Sequence, residues 1–309
     1  MNPVLTLLLT GTLMAEPWGL SPQAAESAPG LRTEVLTIGL TKTAFLNVNR
    51  NDMEAALKTL AQTIGRKHGY EVEARTAFYE EAPAFAAAVK AGAVRLAITD
   101  SWTYLAMDPA GLGTPSFVSM EQGRIGKPYL LLTHRDKGLN TLADLRGKNL
   151  AVLEIVNSSL GRPWLETLLA SNRLGALETF FHEVKFVGKP TAAVLPVFFG
   201  KADACLVDAT VFKVMTEMNP QVGRALRTIA TSEPLVDGLQ ILSFAGWSGA
   251  EQFKQDVIQA IGELHLNPAG QQLLTLFKTD QMAPFEDSQI DAVRRLRAVY
   301  DQGRKEATP

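Results

Sequence analysis

Residues 157–161, Asn157-Ser158-Ser159-Leu160-Gly161, carry the clearest chemistry in the chain: two adjacent hydroxyls where an apolar run gives way to a helical pattern. The run over 150–156 reads as a strand, and apolar residues at Trp164, Leu165, Leu168 and Leu169 mark the helix. Proline lacks an N–H and is tolerated only in a first turn, so Pro163 places the cap at Ser159 or just after it. A helix N-terminus leaves backbone N–H groups unsatisfied and carries partial positive charge. Together with the hydroxyls of Ser158 and Ser159 it makes a natural seat for a small anion. Taken alone, the same residues are also what an ordinary serine-capped helix needs.

Two further strand ends in the same part of the chain finish in polar residues before a helix. Lys189 stands ahead of Pro190, and Asp208 follows Ala204-Cys205-Leu206-Val207. A surface lysine and a capping aspartate account for them individually. Two hydroxyls, a cation and a carboxylate at one sheet edge together suggest the lining of a cleft. Earlier in the chain the matching ends are Thr41, Tyr79 and the run Thr99-Asp100-Ser101.

Signals for enzyme chemistry are missing. His68, His134, His182 and His265 are scattered without metal-ligand spacing, and no nucleophile elbow, phosphate loop or dinucleotide glycine fingerprint occurs. Cys205 sits inside an apolar strand and reads as a buried thiol, not a nucleophile. The pattern therefore favours a binder: no enzyme, no cofactor and no metal.

The elements that must position these residues alternate short apolar runs with helical periodicity. Strands read over 34–40, 70–78 and 94–99, with helices over 51–69 and 82–91. A second series follows, with strands over 149–156, 184–187 and 202–207 and helices over 160–170, 190–199 and 209–218. After a strand at 240–244, the tail from 248 to 303 reads as three helical pieces, broken at Asn267-Pro268 and at Met282-Ala283-Pro284. Repeated βα units imply open, mostly parallel sheets. Two such series imply two lobes, with passages near 128–134 and 234–244 as a two-strand hinge. Ligands of open α/β sheets bind beyond the carboxyl ends of the strands, here in the cleft between lobes. The division expected is a leader and linker over 1–30, the first lobe over 31–130, the second over 131–238, and a return to the first lobe with C-terminal helices over 239–309.

With 309 residues, 46% hydrophobic, the chain can bury two cores, and its net charge of −2 with no long basic run excludes a nucleic-acid partner. The apolar stretch 4–15 is too short to span a bilayer, which needs ~20 residues. Followed by a region rich in Ala, Pro, Ser and Gly, it reads as an export signal for the periplasm, although no basic residue precedes it.

The phrases LTIGLT at 36–41, Val94–Thr99, LADLRGKNLAV at 142–152, NSSLG at 157–161 and GKADACLVDA at 200–209 resemble the type 2 periplasmic solute-binding proteins. The resemblance spans roughly 36–298 and is to the phosphate/phosphite/phosphonate-binding family of ABC transport systems. It implies a two-lobed α/β fold with a two-strand hinge. It also implies capture of a small oxyanion or phosphonate-like ligand for a membrane permease or, alternatively, for a membrane sensor such as a kinase or cyclase. By that resemblance the loop of Ser158, Ser159 and Gly161 holds the oxyanion, Lys189 stands where the family often has a histidine, and Asp208 receives an amine or acid proton. Thr99 or Asp100 replaces a first-lobe aromatic contact.

Overall fold

Alternating burial along each strand shows how the sheets are built. In Asn149–Leu153, Leu150 and Val152 face one apolar cluster while Ala151 and Leu153 face another, and Ala204–Asp208 repeats this with Ala204 and Leu206 against Cys205 and Val207. A strand buried on both faces needs helices on both sides, which is what an apolar run such as ACLV encodes. The computed structural model describes residues 30–307 except 108, 110 and 114, with side chains as far as Gly303. The expected leader over 1–30 lies outside the described residues, apart from Gly30.

Twelve strands are described: β1 (Arg32–Thr41), β2 (Tyr70–Tyr79), β3 (Leu96–Asp100), β4 (Pro115–Glu121), β5 (Arg124–Ile125), β6 (Tyr129–His134), β7 (Asn149–Leu153), β8 (Glu183–Val187), β9 (Ala204–Asp208), β10 (Leu226–Thr231), β11 (Gly238–Leu242) and β12 (Gln281–Pro284). The first sheet runs β12-β4-β11-β3-β1-β2, with β5 hairpinned to β4. The second runs β10-β6-β9-β7-β8. In each, three parallel strands are continued by antiparallel ones: β2-β1-β3 is extended by β11, and β8-β7-β9 by β6.

Helices Arg50–Lys67, Glu251–Gly262 and Pro268–Leu276 cover one face of the first sheet through Met53, Leu57, Val257, Ile261, Leu273 and Leu274. The second sheet lies between Gly161–Ser171 on one side and Pro190–Phe198 with Ala209–Met218 on the other. The last helix, Asp291–Ala307, places Val293 in the second lobe's core, so the C-terminus straps the lobes together.

The chain crosses between sheets twice, after β5 and before β11. The crossings pair: the Lys127 N–H donates to the Leu235 carbonyl at 2.9 Å, and the Leu235 N–H to the Lys127 carbonyl at 3.0 Å. This is the two-strand hinge expected from the sequence. Elsewhere the structure departs from that reading. β4 and β12 lie outside the strands expected from the sequence, and Met282-Ala283-Pro284, expected to be a helix break, is a strand at the sheet edge. An edge position tolerates the missing proline N–H. The strand expected over 149–156 stops at Leu153, because Ile155 folds back to bridge Ser158.

Candidate functional site

The parallel strands of both lobes end facing one another. The first lobe contributes Thr41 and the Thr99–Asp100 end of β3. The second contributes the 154–160 loop and Asp208, which ends β9. The lobes touch here: the Val156 N–H donates to the Leu46 carbonyl at 3.3 Å, and the Asn47 side chain to the Glu154 carbonyl. Asn157, held at φ 56°, reaches across as well. Its amide donates to the Lys278 carbonyl at 3.0 Å, while its oxygen accepts from the Ser119 hydroxyl at 2.8 Å and the Gly238 N–H at 3.2 Å. Asparagine tolerates the left-handed region better than most residues, and this loop uses that tolerance to aim an interlobe tether.

The helix start at Gly161 does hold a carboxyl group, and that group belongs to the chain. The Ser159 N–H and hydroxyl donate to Asp237 Oδ1 at 2.8 and 3.1 Å, and the Leu160 N–H reaches the same oxygen at 3.3 Å. The Tyr129 hydroxyl donates to Oδ2 at 2.7 Å. Leu160 stands at the cap with no side-chain cap of its own, so a residue from the hinge return performs that task. Gly161 is what lets Tyr129 in: a Cβ there would lie 2.9 Å from the tyrosine ring. Burial holds the Asp237 carboxyl above the usual carboxylate range, opposed by Lys127 and the Tyr129 and Ser159 donors. Burial, with the Asp237 and Asp208 carboxylates, holds Tyr129 well above its ordinary value, so it remains a donor.

Ser158 does something different from its neighbour. Its hydroxyl donates to Asp208 Oδ2 at 2.7 Å, while Oδ1 caps the following helix by accepting the Val211 N–H at 2.9 Å. Lys127 completes this corner, 3.0 Å from Glu121 Oε2 and 3.6 Å from Asp208 Oδ2. Burial alone would lower the lysine's pKa, but the Asp208, Glu121 and Asp237 carboxylates outweigh it and raise the value. Burial raises Glu121 despite Lys127.

On the first lobe, Asp100 caps its own short helix, accepting the Thr103 N–H at 2.9 Å and the Thr103 hydroxyl at 2.7 Å, and Thr43 donates to it as well. The Thr41 hydroxyl bonds that of Thr99 at 3.1 Å. Ser101 fixes the hinge return: its N–H donates to the Asp237 carbonyl at 2.8 Å and its hydroxyl to the Val236 carbonyl. Asp237 is thus tied by backbone to the first lobe and by side chain to the second.

Two cavities share Ser119, Asn157 and Asp237 in their walls. One of about 320 Å³ is lined by Glu121, Arg124, Lys127, Asn157, Thr210, Lys213 and Asp237 among others. The other, about 40 Å³, is lined by Thr43, Thr99, Asp100, Asn157, Ser159 and Asp237 among others. The structure therefore gathers Thr99, Asp100, Ser159 and, behind them, Thr41, Ser101, Ser158, Gly161 and Asp208. Of the expected residues only Thr99, Asp100 and Ser159 line a cavity, and two of the others stand apart from the cluster altogether. Lys189 is exposed at the cap of Pro190–Phe198, and Tyr79 packs its ring against Phe85 at 5.2 Å. Sequence reasoning missed Asp237, Tyr129, Asn157 and Lys127. A lone acid between Val236 and Gly238 in an otherwise apolar hinge passage is the one signal that was there to read.

The thiol of Cys205 is fully buried, and burial pushes it up to about 12. A thiol reagent at pH 8 is expected to leave Cys205 unmodified in the folded protein and to modify it in denaturant. Rapid modification of the native state would contradict this placement. Among the described residues no group of acids, histidines and cysteines could hold a metal, and no helix is long and apolar enough to cross a membrane.

Two doubly covered sheets, a paired-strand hinge and polar strand ends facing across a cleft define a two-lobed solute-binding fold. Solved proteins share it: XAC2383 from Xanthomonas citri, bound to chloride in one structure and to ATP in another, aligns with TM-score 0.62 and 15% identity over 88% of this chain. Those two structures are covered to 99% and 98% respectively. A binding protein component of an ABC phosphonate transporter from Pseudomonas aeruginosa gives 0.57 and 13% over 87% of each chain. PhnD1 from Prochlorococcus marinus, in complex with methylphosphonate, gives 0.56 and 16% over 86% of this chain and 98% of its own. At such identities the likeness speaks to the fold. The chain belongs to the family of ABC transporter, phosphonate, periplasmic substrate-binding proteins, whose model matches residues 43–290. No curated protein matches.

Proposed function

We propose that this protein captures a small oxyanion or phosphonate-like solute between its lobes, outside the cytoplasm, and delivers it to the permease of an ABC transporter. One observation carries the ligand class: two backbone N–H groups and two hydroxyls converge on a single carboxylate at a helix start inside the interlobe cleft. Four donors and a helix dipole aimed at two oxygens suit a phosphonate as well as a carboxylate. The family's phosphonate designation supports the same class.

Asp100 lines the smaller cavity, which favours a solute carrying a protonated amine beside its oxyanion. The test is thermal unfolding of the purified protein with phosphate, phosphite, methylphosphonate, aminoethylphosphonate, sulfate and arsenite. A solute that binds only the native state raises the melting temperature, by about 2.7 kcal/mol of stabilisation at a hundredfold excess over Kd. A shift from a phosphorus oxyanion, largest for aminoethylphosphonate, is expected. Silence from the whole panel would overturn the oxyanion reading.

A further inference from the structure

We propose that Asp237 is a built-in competitor for the solute: its carboxylate fills the oxyanion seat and must leave before a solute oxyanion can enter. The inference rests on the oxyanion reading above and adds a specificity-determining residue to it. Asp237 is 3% exposed, and both its oxygens are engaged by groups of the second lobe. Its main chain is pinned to the first lobe through Ser101. The carboxylate therefore makes the bridging contacts between lobes that a bound oxyanion would make.

The exchange has somewhere to go. Asp237 also lines the larger cavity, whose wall holds the Lys127 ammonium. That ammonium already interacts electrostatically with Asp237, so a displaced carboxylate meets a cation on leaving the seat. A solute gains only the difference between its own contacts and those Asp237 gives up. Weak monoanions that merely match a carboxylate would then be rejected, and oxyanions with more charge or a third oxygen admitted.

Calorimetric titration of the full chain with sulfate and with methylphosphonate, on the parent, Asp237→Ala and Asp237→Asn, tests this. Asp237→Ala is expected to bind at least one of them tenfold or more tighter than the parent. Asp237→Asn, which keeps an acceptor for the N–H groups but loses the charge, is expected to gain threefold or more and carries the test if the alanine variant does not fold. Acetate, which stands in for the missing carboxylate, should raise the melting temperature of Asp237→Ala and leave the parent unmoved. Binding by the parent with no gain in either variant would overturn the competitor role alone. No binding of any oxyanion by any of the three would overturn the oxyanion reading and this inference with it.

Discussion

Lys127→Met is expected to lower the free energy of unfolding by about 3–5 kcal/mol at pH 8, the usual cost of stranding buried charge by removing its partner. The lysine side chain is 12% exposed and lies between Glu121 of the first lobe and Asp208 of the second, the latter fully buried. Asp237 contributes to the same field. Methionine has similar volume, so packing changes little and charge is the variable. The pH dependence carries the diagnosis. Glu121 and Asp237 already have raised pKa values, and losing Lys127 raises them further. A carboxyl with a folded pKa above its unfolded one penalises folding at high pH, and the penalty fades as pH falls through the folded value. The lysine's own pKa is raised, so it stays protonated below the ordinary lysine range and its own titration adds no pH dependence there; the carboxyls supply it. Denaturant unfolding should therefore show the variant's deficit shrinking between pH 8 and pH 5. A deficit below 1 kcal/mol at pH 8, or one independent of pH, would show that the carboxylates are solvated.

The second large effect is on binding. Ser158→Ala combined with Ser159→Ala is expected to suppress the solute-induced melting shift, a loss of about tenfold or more in affinity from the one hydroxyl of the pair that reaches the seat, a hydrogen bond to a charged group worth roughly 1.5–3 kcal/mol. The single variants should divide the work. Ser159→Ala removes a donor of the seat itself and should weaken binding about tenfold, and it also takes a donor from the buried Asp237 carboxylate. Ser158→Ala takes a donor from Asp208 and should lower stability by about 1.5–3 kcal/mol. A double variant that folds and binds as the parent does would reduce residues 157–161 to a helix cap.

Local pattern made much of this protein legible. The βα alternation, the hinge passages and the polar ends at Ser159, Asp100 and Asp208 all follow from periodicity and capping rules that act over a few residues. Helix Ala209–Met218 begins and ends where the sequence places it. The anion seat itself was readable, because unsatisfied N–H groups at a helix start are a local property. Its occupant was not. Asp237 lies 78 residues from Ser159, and only the tertiary fold brings a hinge residue onto that helix. Lys127 and Tyr129 were invisible for the same reason: nothing in their neighbourhood says that one crossing strand will carry both the cation and the phenol of the cleft. β12 was lost for a different cause, since a four-residue edge strand ending in proline carries almost no pattern.

The central claim, that solute oxygens sit on the Ser159 and Leu160 amides, is tested most directly by amide resonances of the labelled protein during titration with the oxyanion that gives the largest melting shift. The account predicts that the Ser159 and Leu160 amides move furthest and saturate with the binding curve. A solute that stabilises the protein while those two amides stay still would contradict it.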